Sequence, residues 1–166
     1  MFTLKPLALA AIPQALAKAE RYRLLNEAWE AESICLDVLD VEPDNQDALV
    51  MLILALTDQF RQRAAEGTER ARALLPKLRQ EYQRAYYEGI IWERRAKALL
   101  DADHVGSAGA VYDWLRDAMD CFDRAAAHRP AGNDDAILRW NTCVRMLARH
   151  PQLAPSQERY EPQMLE

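Results

Sequence analysis

Glycine is scarce, five residues in 166, and no alternating run of β-branched residues lies between turn signals, so the chain offers no material for a sheet. Only three cysteines occur, Cys35, Cys121 and Cys143, and none forms a CxxC pair. Each lies inside an apolar helical pattern, which excludes a disulfide framework and reads as a small hydrophobe in a reducing compartment, by default the cytoplasm. No apolar stretch approaches the ~20 residues of a membrane span. Lys5 and the following Pro6–Ile12 segment, with Ala15-Leu16-Ala17 behind it, imitate a secretion signal. That segment is short and followed by Pro13, and removal after Ala17 would cut a helix. Basic residues are also in deficit, 21 Lys and Arg against 26 Asp and Glu, for a net charge of −5, which argues against non-specific binding to nucleic acid. The three histidines, His104, His128 and His150, have no partner four residues away and imply no metal. The His104–Gly109 stretch lacks the lysine and strand of a phosphate loop and reads as a connection. No nucleophile stands beside a base, so neither cofactor nor catalysis is expected.

What the chain has is alanine, leucine, arginine, glutamate and glutamine, with apolar residues three and four apart. The expected fold is all-α, with one helical domain over 1–150 and an extended, proline-containing tail over 151–166. Corners are expected at Pro43-Asp44-Asn45, at Gly67-Thr68, from Asp101 to Gly109, at Pro130–Asn133 and at Pro151. After two of these, Asp47, Asp134 and Asp135 fall in the first turn of the next helix, where capping and the helix dipole favour acids. His128 and His150 suit the opposite, negative ends. The segments Ala31–Leu49 and Ala118–Ile137 follow one plan: an amphipathic stretch, a proline twelve residues after the alanine, then an Asn and an Asp-Ala pair. An internal repeat of this kind predicts antiparallel helix pairs stacked to cover each other's apolar faces.

These residues resemble the tetratricopeptide repeat (TPR), a helical hairpin of about 34 residues with small residues where its helices cross. Ala19, Tyr22, Ala31, Cys35, Val38 and Pro43 match one unit; Ile53, Leu56, Ala71, Leu75 and Leu78 match a second, looser one. The second has an insertion around Ala64–Thr68 and Gln83 where the terminal proline belongs, so its last helix is free to run on into the next. Gly89, Trp92, Ala118, Phe122, Ala125 and Pro130 match a third, interrupted by an insertion that includes 103–113. The resemblance implies a TPR-like stack of about three hairpins with a capping helix after Asn133. A plain helical bundle is the alternative.

The resemblance further implies a concave groove, lined by first helices, that binds another protein or peptide. By position that groove takes Glu20, Arg23 and Leu24; Val50, Leu54 and Asp58; Tyr86, Tyr87, Ile90 and Arg94; and Asn141 and Arg145. Aromatic and arginine side chains suit such a role. The donors that grip a carboxylate terminus in part of the family are missing, since Ala17, Glu20, Met51 and Leu54 stand in their places. Packing of Tyr86 and Tyr87 against the insertion would explain those two equally well. Leu153, Tyr160, Met164 and Leu165 give the tail anchors for a groove, its own or that of a second copy; a disordered tail is the alternative. Two rivals remain: a homodimer exchanging helical faces or tails, and a nucleic-acid protein or enzyme using Trp92 with the run Arg94-Arg95-Lys97.

Overall fold

The computed structural model describes residues 2–103 and 105–155; among them there are seven α-helices and no strand. They are α1 (Ile12–Leu24), α2 (Ala28–Val41), α3 (Gln46–Asp58), α4 (Phe60–Leu74), α5 (Glu81–Asp101), α6 (Ala108–Ala127) and α7 (Asp135–Arg149). By its contacts the chain divides into two compact units, Met1–Gln80 and Glu81–Glu166. No helix among the described residues is long and apolar enough to cross a membrane.

In the first unit α1 packs on α2 and α3, α2 on α3, and α3 on α4. The small residues lie where the spacing put them: Ala19, Ala31 and Ala71 are fully buried, as are Cys35, Val38 and Ile53. Tyr22 is only half-buried. The α2–α3 corner is set by Asn45, whose side-chain oxygen accepts the Ala48 amide at 2.8 Å, while Asp47 sits in the first turn. The corner expected at Gly67-Thr68 does not exist. Both residues are buried inside α4, which starts one residue after α3 ends and leaves helical geometry only at Arg63 (φ −140°, ψ 48°). Gly67 is small for a different reason: a Cβ there would lie 2.9 Å from a ring carbon of Phe60. Nor does the chain run on through Gln83. Pro76 stops it in a 3-10 turn, Leu75–Lys77, and Gln83 belongs to α5.

In the second unit α5 lies along α6, and α6 packs on α7. Gly89 permits the closest approach, since a Cβ would stand 2.5 Å from the buried ring of Phe122. Ala118 and Ala125 are fully buried on either side of that ring's position in α6. The presumed insertion is mostly helix: it lengthens α5 and α6, buries Val111 and Leu115, and leaves a short connection, with Ala108 and Gly109 already in α6. At the start of α7 the cap differs from expectation. Asn133 accepts the Asp135 amide at 2.9 Å, whereas Asp134 makes no cap bond and instead pairs with Arg129 at 3.3 Å. His128 and His150 stand at the C-terminal caps of α6 and α7. Of the tail's anchors Leu153 is buried; Tyr160, Met164 and Leu165 lie outside the described residues. The cysteines are free and buried, and burial pushes each thiol up to about 12.

Candidate functional site

In the first unit the structure pairs two of the expected groove residues, one on α1 and one on α3. Arg23 Nε donates to Asp58 Oδ2 at 2.7 Å, and its Nη1 lies 3.8 Å from the sulfur of Met51. Glu20 is exposed and Leu54 half-buried on these same helices. The bridge joins the end of α1 to the end of α3, and a turn without glycine or proline lies beside it.

That turn, which sequence reasoning passed over, is built by Asn26. The helix closes with a Glu27 amide to Tyr22 carbonyl bond (2.9 Å) and an Asn26 amide to Arg23 carbonyl bond (3.0 Å), and Asn26 takes the left-handed conformation this motif requires (φ 61°). An asparagine after a helical pattern was the available signal. The turn leaves Leu24 79% exposed, Leu25 60% and Trp29 63%. Between it and the α3–α4 corner opens a cleft of about 410 Å³, lined by residues 26–30 on one side and Asp58, Gln59, Gln62 and Arg63 on the other. Its wall is tied from behind. Gln59 donates to Glu32 at 2.7 Å and to the Ala55 carbonyl at 3.2 Å, and the other oxygen of Glu32 accepts from Arg70 at 2.5 Å.

In the second unit the expected residues separate. Ile90, placed at the groove by the resemblance, is 1% exposed and belongs to the core, because the buried stripe of α5 runs through Tyr82, Ala85, Gly89, Glu93 and Ala96. Tyr86 is half-buried among Tyr82, Tyr87 and Phe122, with ring centroids 5.6, 5.2 and 5.9 Å away. Arg94 and Asn141 are half-buried and Arg145 is exposed. The basic run is engaged within the unit: Arg95 lies over Trp114 (4.2 Å) and Trp92 (5.7 Å), and Lys97 pairs with Glu93.

Glu93 is fully buried. One carboxylate oxygen accepts from Lys97 and from Arg139 of α7 (3.3 Å), and the other has no partner. Burial works against the charge of Arg139, but Glu93 and Tyr86 outweigh it and raise its pKa. The enclosed carboxylate thus ties α7 to α5. Among the described residues no group of His, Cys, Asp and Glu is arranged to hold a metal.

No family model matches the sequence, and no curated protein or solved structure matches it either.

Proposed function

We propose that the chain is a non-catalytic interaction module of the cytoplasm, a TPR-like stack of antiparallel hairpins that binds a segment of another protein. One observation carries this reading: three large apolar side chains, Leu24, Leu25 and Trp29, stand more than half exposed within six residues of one turn. Isolated exposed leucines are ordinary, but a concentration of them beside a cleft is the usual mark of an interaction surface. Covering such side chains would contribute about 1.5–3 kcal/mol each, offset by the cost of ordering the partner. The TPR-like reading is supported by the fully buried alanines at 19 and 31 and by α3 packing on both helices that precede it.

The test is affinity capture with the full chain, followed by titration of the purified partner, against a Leu24→Ser, Leu25→Ser variant of unchanged helical circular dichroism. A stoichiometric partner whose affinity falls at least about tenfold in the variant is the expected result, as burial of two leucines implies. Undiminished binding by the variant would remove the turn from the interface. Recovery of the chain alone, with a mass that rises with concentration and drops in the variant, would make self-association the better account.

A further inference from the structure

The cleft at the first turn has a chemical character of its own. Its indole, Trp29, is mostly exposed, and three carboxylates line the cavity, Glu27, Glu30 and Asp58, against one cation, Arg63. Asp58 is already held by Arg23, whereas neither Glu27 nor Glu30 has an ion-pair partner among the described residues. Resting on the interaction reading above, we propose that this cleft receives an arginine side chain of the partner, stacked on Trp29 and paired with Glu27 or Glu30.

The walls favour this occupant on several grounds. An exposed indole and unpaired carboxylates lining one cleft supply the two contacts a guanidinium prefers, stacking and a forked hydrogen bond; an ammonium gains less from either. The start of α2 places its positive dipole end at the same turn, which opposes a cation. That end amounts to about half a charge, though, and two full carboxylates outweigh it. Residues 1–66, which contain the whole lining, carry 11 acids against 6 bases, so the approach is favourable as well. The site is held in shape by the Asn26 turn on one side and by the Gln59–Glu32 bond on the other. Arg63, where α4 departs from helical geometry, is the one lining group that repels the ligand.

The experiment is a titration of the nitrogen-15 labelled full chain with a blocked Gly-Arg-Gly-Arg-Gly peptide, following the four tryptophan indole N–H resonances. The Trp29 resonance should shift saturably, while those of Trp92, Trp114 and Trp140 stay in place. Affinity should fall about fivefold or more in Glu27→Gln, Glu30→Gln and rise about twofold in Arg63→Gln, as expected for one or two exposed ion pairs gained or lost. A matching glutamate peptide should produce no Trp29 shift. The proposal is overturned by a silent Trp29, by equal affinity of the double variant, or by weaker binding in Arg63→Gln. Because the peptide is supplied, failure to capture a cellular partner sinks the broader reading and leaves this result untouched. Conversely, a captured partner that needs Leu24 while Trp29 ignores the peptide sinks this inference alone.

Discussion

Glu32 in the first unit and Glu93 in the second are both buried, yet they are treated in opposite ways. Glu32 has both oxygens occupied, by Gln59 and Arg70, and retains slight contact with solvent. Glu93 is wholly enclosed, with two cations on one oxygen and nothing on the other. The first arrangement is a satisfied tie between helices, placed just behind a surface cleft. The second draws two part-exposed cations, Lys97 and Arg139, onto one oxygen of an enclosed charge whose burial costs desolvation. Apolar groups show the same contrast. The first unit leaves Leu24, Leu25 and Trp29 in solvent, whereas the second gathers Tyr82, Tyr87 and the buried Phe122 around Tyr86. The first unit thus keeps an apolar cluster at the surface of one turn, and the second packs an aromatic cluster against a buried ring.

Crowding each unit with one methyl group separates the two most strongly. Gly89→Ala drives a Cβ into a fully buried ring at 2.5 Å; Gly67→Ala meets the Phe60 ring at 2.9 Å. Overpacking costs about 1–3 kcal/mol, partly offset by the ~1 kcal/mol that alanine gains over glycine in a helix. We expect Gly89→Ala to lose about 2 kcal/mol in urea unfolding and Gly67→Ala to stay within about 1 kcal/mol of the parent. The thiols supply a local readout. Burial holds each near 12, so at pH 8 they are protonated and react with an alkylating agent only when the structure opens. In Gly89→Ala, labelling of Cys121 and Cys143 should accelerate about 30-fold, the equivalent of 2 kcal/mol, with Cys35 in the same sample reporting the first unit. Equal losses in the two glycine variants would show that the packing contrast is false.

A second pair addresses the glutamates directly. Glu32→Met removes two satisfied bonds and should cost about 1–2 kcal/mol. Glu93→Met fills the same space with hydrocarbon, frees two part-exposed cations to rehydrate, and should be neutral or stabilising by about 1 kcal/mol. Thermal unfolding of both variants decides it; a loss in Glu93→Met as large as that in Glu32→Met would mean that the enclosed carboxylate is a needed tie.

Much of the fold was legible because periodicity and punctuation are local. Ala31, Cys35 and Val38 mark a buried stripe by spacing alone, and Pro43-Asp44-Asn45 announces its corner by turn chemistry. Gly67 misled because a glycine can signal either a helix end or a close contact, and only the position of Phe60 tells which. Pro76 ends the helix before α5, whereas the repeat register puts the terminal proline seven residues later, where Gln83 stands. Ile90 shows the limit of a borrowed register: family position put it in a groove, while the stripe of its own helix put it in the core. Of the candidate surface, Arg23 and Asp58 were named from the resemblance, and the structure pairs them. Trp29 was not, since a tryptophan at a helix start is buried or exposed according to which neighbours cover it, and that is settled by tertiary packing.

The smallest expected effect tests whether the surface character of the first unit depends on one backbone angle. Asn26 is one of two non-glycine residues with positive φ among those described, and no backbone amide after it closes the helix except that of Glu27. Glycine accepts this conformation without strain, whereas a Cβ without a local hydrogen-bonding group is disfavoured there by about 1 kcal/mol. Asn26→Gly should therefore match the parent in stability and Asn26→Ala should lose about 1 kcal/mol. The structural consequence is more telling than the energy. If the turn sets where Trp29 stands, Asn26→Ala displaces the Trp29 indole resonance and leaves those of Trp92, Trp114 and Trp140 unmoved, while Asn26→Gly moves none of the four. A stable Asn26→Ala variant with Trp29 in place would mean that α2 alone holds the indole over the cleft. The exposed patch would then be a property of helix packing, and the Asn26 turn would only connect it.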